Sequence, residues 1–215
     1  MIYDITPFTL LDYPDTPACI FWFAGCNLRC AYCYNPHIVF GKSKINEEDA
    51  ICFLKSRVNL LEGVVLSGGE ATYCADIVNF ATKIKKLGFK IKLDTNGSNP
   101  KVLKKLIDKS LLDYIAIDFK APKSKFLKIT NKDAFNSFLK SLKIINSSNI
   151  EYEIRTTYHS ALLNEEDINN MLNIIRVRGY KKPFFVQNAI NGVKTLQHLP
   201  DSKKFLKTDD QIVSR

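Results

Sequence analysis

The chain of 215 residues is 46% hydrophobic and 25% charged, the composition of a globular protein long enough to bury a core without disulfides. No apolar run approaches the roughly 20 residues of a membrane helix, and Asp4, Asp12 and Asp15 stand where a secretory leader would be basic and then apolar. The expectation is a cytoplasmic protein with no membrane partner; the net charge of +9 comes from dispersed lysines such as Lys83, Lys85, Lys86, Lys101, Lys104, Lys105, Lys203 and Lys204, which read as solvated helix faces, so no nucleic-acid partner is expected.

In chain order, residues 18–23 form an apolar run that reads as a buried strand. Asn46 caps a helix with Glu47, Glu48 and Asp49 in its first turn, and Ala50, Phe53, Leu54, Val58 and Leu61 follow at helical spacing. Residues 63–67 are the second strand. Ile77, Phe80, Ala81, Ile84 and Leu87 form the next helical stripe, stopped by Gly88, and Phe89, Ile91 and Leu93 alternate as a third strand. Asn99 and Pro100 open a helix through Leu103, Leu106 and Ile107. Residues 114–117 are the fourth strand, and Phe135, Phe138, Leu139, Leu142 and Ile145 mark another helix. Tyr152, Ile154 and Thr156 alternate as the fifth strand. Asn164 with Asp167 caps a helix through Ile168, Met171, Leu172 and Ile175 that ends at Gly179, and residues 184–186 are a sixth strand.

Strand and helix alternate throughout, which argues for parallel strands with helices outside. Six units are too few for a closed eightfold barrel. The expected fold is an α/β partial (β/α)6 barrel, a single domain over 1–215 with its core at about 18–189. Residues 190–215 lack periodicity and read as a C-terminal tail or cap.

Cysteine usage carries the chemistry. Cys26, Cys30 and Cys33 fall within eight residues as Cys-x-x-x-Cys-x-x-Cys, while Cys19, Cys52 and Cys74 stand alone and read as ordinary core or surface residues. Three crowded thiols do not make a disulfide framework in a chain of this size. A structural zinc site wants four closed ligands, and only His37 is near as a fourth. Three thiolates with an open position suit an iron–sulfur cluster with one reactive iron. Three buried free thiols are the bland alternative, against which Asn27, Arg29 and Asn35 interleave the motif.

The remaining unusual residues end the strands: Ser67, Gly68, Gly69 and Glu70 after the second, Asp94, Thr95, Asn96 and Gly97 after the third, Asp118 and Lys120 after the fourth, Arg155 and Thr157 on the fifth, Gln187 and Asn188 after the sixth. C-terminal strand ends of a parallel βα array share one rim, where ligands bind. Taken singly, each group has an ordinary reading: Gly68 and Gly69 as a turn, Asn96 and Gly97 as a turn pair, Asp118 and Lys120 as an ion pair.

The cysteine motif after the first strand with Gly-Gly-Glu after the second resembles the radical S-adenosylmethionine superfamily, whose members share a partial βα barrel. Leu11-Asp12-Tyr13-Pro14, the Leu93-Asp94-Thr95-Asn96-Gly97 segment and Ile117-Asp118-Phe119-Lys120 resemble the glycyl-radical activating enzymes, most of all the activating proteins of anaerobic ribonucleoside-triphosphate reductase. Two departures stand out: Ala71 where the family commonly has proline, and Tyr34 where many activating enzymes have histidine. The resemblance implies that Cys26, Cys30 and Cys33 hold a 4Fe-4S cluster and that its fourth iron takes the amino and carboxylate groups of S-adenosylmethionine. It implies that Glu70 accepts from the amino group, that Gly68 and Gly69 admit the methionine moiety, and that Tyr32 lies by the adenine. Asp94 and Asp118 match positions that hold a monovalent cation in related enzymes, and Lys120 and Arg155 match cofactor-contacting positions. The implied activity is reductive cleavage of S-adenosylmethionine to make a glycyl radical on a partner, here the large subunit of anaerobic ribonucleotide reductase, with flavodoxin or ferredoxin as one-electron donor; no catalytic residue beyond the cofactor-binding set is implied. The alternatives are a radical enzyme acting on a small molecule, as the 7-carboxy-7-deazaguanine synthases do, and a zinc-binding interaction module.

Overall fold

The computed structural model describes residues 1–215. Its strands are β1 (Ile2–Thr9), β2 (Ala18–Phe23), β3 (Gly63–Gly68), β4 (Lys90–Thr95), β5 (Tyr114–Asp118), β6 (Glu151–Tyr158), β7 (Phe184–Asn188) and β8 (Ile212–Ser214). The helices are α1 (Pro36–Val39), α2 (Glu47–Lys55), α3 (Ile77–Lys86), α4 (Pro100–Asp108), α5 (Lys123–Thr130), α6 (Phe135–Asn146) and α7 (Glu165–Arg176). The strands form an eight-stranded sheet in chain order, β1 to β8. The six strands read from the sequence are β2 to β7, so the α/β alternation of the (β/α)6 expectation is present.

The chain folds as two compact units. The first comprises Met1–Asn27, His37–Thr95 and Asn99–Ile115. In it β2, β3 and β4 pair in parallel and β1 runs antiparallel to β2. One face of these strands turns to the helices, where Phe21 meets Phe53 of α2 and Phe80 of α3 with ring centroids 6.2 and 5.5 Å apart. On the opposite face Ala18, Ile20 and Val65 bury Tyr13, with Trp22 and Tyr114 packed beside them. Local signals set the helix ends. Asn46 accepts from the Asp49 N–H at the start of α2, and Asn99 does the same for Val102 ahead of Pro100 at the start of α4. Gly88 ends α3 with φ +90°.

The second unit comprises Leu28–Pro36, Asn96–Ser98 and Ala116–Arg215. Here β6, β7 and β8 pair in parallel. Phe119 stacks on Phe138 of α6 at 4.4 Å and lies against Phe135 and Phe184, an aromatic core on which β7 and α6 close. Asn164 and Asp167 form the reciprocal capping box of α7.

Several elements differ from the sequence reading. Helix α2 stops at Lys55; residues 57–60 form a turn with Asn59 at φ +66°, Val58 lies exposed, and Leu61 is buried beyond the helix. Strand β1 carries an irregular burial pattern with exposed Asp4 and Phe8, so it lacks clean alternation. Helix α5 is only eight residues and lysine-rich. The last 26 residues carry real structure: Phe205 and Ile212 are buried, β8 pairs with β7, and Asn188 holds the Phe205 backbone through both its amide groups. A three-residue strand is too short to show a period.

Candidate functional site

Cys26 directly follows Gly25, three residues past the end of β2, in the first unit. There the end of β3 is bonded to this loop: Gly69 N donates to Phe23 O at 2.9 Å and Glu70 N to Gly25 O at 3.0 Å. The two glycines make that approach feasible. A Cβ on Gly69 would sit 1.8 Å from the Gly25 carbonyl oxygen, and one on Gly68, at φ +112°, 2.3 Å from Phe23 N. The glycine pair therefore brings one backbone against another, which holds the segment carrying Cys26.

Glu70 is buried and its orientation is set. Oε1 accepts from Thr72 N at 3.2 Å, Thr72 Oγ1 at 2.6 Å and Thr95 Oγ1 at 2.8 Å. Thr95 ends β4, so the carboxylate is pinned across two strand ends. Asp94, one residue earlier, accepts from Ser67 Oγ at 3.1 Å and from Lys92 Nζ at 2.5 Å. The Lys92 side chain is 3% exposed and that of Asp94 12%, making this a buried ion pair. Alternation along β4 puts Lys92 and Asp94 on the face opposite Ile91 and Leu93.

In the second unit the loop Leu28–Pro36 carries Cys30, Tyr32 and Cys33. Arg29 N and Ala31 N donate to Thr130 O and Ile129 O at the end of α5, and Cys33 N closes a turn on Cys30 O. Asp118, at the end of β5, accepts from Arg155 Nε at 2.6 Å and Lys120 Nζ at 2.9 Å. Burial alone would raise the Asp118 carboxyl, but the Arg155 guanidinium and the Lys120 ammonium outweigh it and hold it at about 2. Burial works against the charge on Lys120, and Asp118 more than offsets it, raising that group well above the ordinary lysine range. Arg155 also lies 4.0 Å from Glu153, which Arg215 approaches at 3.4 Å. The Lys120 ammonium stands 5.9 Å above the Tyr32 ring. Tyr32 is buried, its hydroxyl has no hydrogen-bond partner in the protein, and burial pushes its ionisation well above the ordinary phenol value.

The expected site residues thus fall into two sets. Cys26, Gly68, Gly69, Glu70 and Asp94 assemble in the first unit; Cys30, Tyr32, Cys33, Asp118, Lys120 and Arg155 assemble in the second. Within either unit no three His, Cys, Asp or Glu side chains gather into a metal-holding group. Cys19, Cys52 and Cys74 stand apart from the motif; Cys19 is fully buried in β2, where burial pushes its thiol up to about 12. Sequence reasoning missed Lys92, Ser67 as a partner of Asp94, and the two threonines on Glu70. Lys92 shares parity with Asp94 in a strand, a signal that was there to find.

The donor set fits an iron–sulfur cluster and an organic cofactor. All six cysteines are free thiols, three of them in the motif. The partnerless Tyr32 hydroxyl is a buried group of the kind a bound ligand satisfies.

The Radical SAM superfamily model matches residues 20–177, and the chain belongs to that superfamily. It is a radical SAM enzyme. Among its relatives, two proteins of Methanocaldococcus jannaschii, each named as a candidate glycyl-radical enzyme activating enzyme, support the activating-enzyme branch. One is 29% identical over 182 residues, covering 82% of this chain and 75% of that protein; the other is 27% identical over 197 residues, covering 86% and 73%. A candidate GTP 3',8-cyclase of Saccharolobus islandicus is 30% identical over 121 residues, 55% of this chain and 39% of that one. The fold is that of solved radical SAM structures. Streptococcus suis SuiB superposes with a TM-score of 0.68 at 17% identity over 86% of this chain, and anSMEcpe with bound AdoMet with 0.64 at 20% over 78%. This chain spans 42% and 50% of those two structures. No helix is long and apolar enough to cross a membrane.

Proposed function

We propose that the protein binds a 4Fe-4S cluster through Cys26, Cys30 and Cys33 and uses S-adenosylmethionine to install a glycyl radical on a partner enzyme, anaerobic ribonucleoside-triphosphate reductase. The observation that carries this reading is the three-cysteine motif lying inside the superfamily match, in a chain whose relatives are named as activating enzymes. One-electron reductive cleavage of a sulfonium carbon–sulfur bond is the chemistry such a group supplies when bound. The chain's own residues bind and orient. Glu70, pinned by three donors through Oε1, offers a fixed carboxylate to an ammonium group. Gly68 and Gly69 hold the Cys26 loop against β3. Tyr32 turns an unpaired hydroxyl and a ring face toward a cofactor. Lys120 and Arg155 fix Asp118 as a carboxylate and add positive charge that would offset the carboxylate of S-adenosylmethionine. A monovalent cation beside Asp94 and Asp118, a flavodoxin or ferredoxin donor and a cytoplasmic setting complete the reading.

The test is iron and acid-labile sulfide analysis of anaerobically purified protein with each cysteine in turn changed to serine. Cys26→Ser, Cys30→Ser and Cys33→Ser should each abolish cluster assembly, whereas Cys19→Ser, Cys52→Ser and Cys74→Ser should retain it. One zinc without sulfide would reject the cluster. Incubation with the reductase, reductant and S-adenosylmethionine should yield a glycyl-radical signal by electron paramagnetic resonance. Conversion of a small molecule without any protein partner would reject the activase.

A further inference from the structure

The loop bearing Cys30 and Cys33 is bonded along both edges. On one edge Arg29 N and Ala31 N donate to Thr130 O and Ile129 O at 2.8 and 2.9 Å. On the other, Gln197 N donates to Ala31 O and Leu196 N to Cys33 O, each at 3.0 Å. A third bond runs from Ile190 N to the phenol oxygen of Tyr34 at 2.7 Å. Residues 190–197 therefore lie along the loop as a strap. Both ends of the strap are tied down. Asn191 exchanges two hydrogen bonds with the Ser202 backbone, at 3.0 and 2.8 Å, and just before the strap Asn188 exchanges two with Phe205. Gly192, at φ +74°, takes the turn between them. The outer side is solvent-facing, with Ile190 62% and Val193 45% exposed.

These bonds fall where they matter for the thiols. The carbonyls of Ala31 and Cys33 flank Tyr32 and Cys33, and the Cys30 to Cys33 turn is closed between them. Holding both carbonyls fixes the peptide planes on either side of this stretch, and with them the directions of the side chains. The superfamily match ends at residue 177, so the strap lies outside the matched stretch. Tyr34 reaches it with a phenol oxygen, which explains a residue that the resemblance left as a departure.

We propose that residues 190–197 are a clamp that fixes the second half of the cysteine loop and shields it from solvent, and that Tyr34 is the positioning residue that pins the clamp. Its consequence for cluster retention rests on the iron–sulfur reading above; its consequence for the loop does not.

The experiment compares the full chain, purified anaerobically, with Tyr34→Phe and with Leu196→Pro. The first removes the acceptor of Ile190 N–H, and the second removes the donor to Cys33 O without altering the loop. Amide hydrogen exchange should quicken about tenfold at residues 190–197 and 30–33 in both variants, the scale of one lost hydrogen bond. Exchange in β6 and β7 should stay unchanged. Unaltered exchange in the strap, or a uniform rise throughout the chain, would overturn the clamp. In the same preparations, release of iron to an excess of chelator should be several-fold faster in both variants; equal release with a locally loosened strap would overturn the retention role. Wild-type protein without iron and sulfide would reject the cluster reading and leave the exchange result to decide the clamp.

Discussion

Lys92 gives the sharpest energetic test of the structure. Its ammonium is 2.5 Å from Asp94 with only 3% of the side chain exposed, and Asp94 is itself 12% exposed. Lys92→Met keeps the length and apolar stem but leaves the carboxylate without this cation. Breaking a buried pair by removing one partner costs about 3–5 kcal/mol, because the remaining charge stays desolvated. The low end applies here, since Asp94 keeps the Ser67 hydroxyl at 3.1 Å and a little solvent. A loss of about 3 kcal/mol in a chain of this size lowers the melting temperature by roughly 6–12 °C. Lys104 and Asp108 are an internal control: that pair is 59% and 56% exposed at i,i+4 spacing, and Lys104→Met should cost less than about 0.5 kcal/mol. Urea unfolding of both variants measures the contrast. The decisive arm is Lys92→Met combined with Asp94→Asn, which removes the stranded charge and should recover at least half of the loss. A cost for Lys92→Met as small as that of the control, or a double variant that falls by the sum of the single losses, would refute the buried-pair argument.

Gly69→Ala should prevent the native approach of β3 to the Cys26 loop, because its Cβ would fall 1.8 Å from a backbone oxygen; Gly25→Ala, at φ +83° with open space around it, should cost only about 1–2 kcal/mol by urea unfolding. Equal losses would count against the close-approach role. Glu70→Gln keeps an amide oxygen for Thr72 and Thr95 and removes the charge, so the variant should hold iron and sulfide at wild-type levels. Its S-adenosylmethionine affinity, measured by anaerobic calorimetry, should fall about ten- to a hundredfold. Asp118, held at about 2 against an ordinary 3.8, binds protons less readily folded than unfolded. Its contribution of about 2 kcal/mol is therefore complete above the ordinary carboxylate range and lost as pH falls from about 4 toward 2. The stability difference between wild type and Asp118→Asn should shrink by that amount between pH 6 and pH 2.

The parts of the fold that were legible in the sequence are those with strong local codes. The six strands of the βα repeat are apolar or alternate cleanly, and Asn46, Asn99 and Asn164 announce their helices by side-chain caps that the structure contains. Helix α2 was overrun because Val58 and Leu61 continue its apolar spacing; Asn59 in the left-handed region turns the chain first, and Leu61 becomes buried after the helix has ended. Strand β1 and strand β8 owe their existence to neighbours, β2 and β7, more than to their own patterns. The same holds for residues 190–197, whose bonds go to a loop more than 150 positions away.

The candidate site divides along the same line. Residues proposed to contact a cofactor through a fixed motif stand out by type and spacing, as Cys26, Cys30, Cys33 and Glu70 do. Residues that act by holding other residues do not, since a threonine, a serine or a lysine is ordinary anywhere. Lys92 shows why. Read along the strand, Lys90 and Lys92 look like a wet face opposite Ile91 and Leu93. In a parallel sheet both faces are covered, and Lys90 remains exposed at the start of β4 while Lys92, two residues further in, is buried on Asp94. A lysine at that depth needs a carboxylate on the same face, and Asp94 at i+2 is the one that β4's alternation supplies. An ion pair of this kind puts a positive charge beside Asp94 and, with the Ser67 hydroxyl, fixes the direction of its carboxylate.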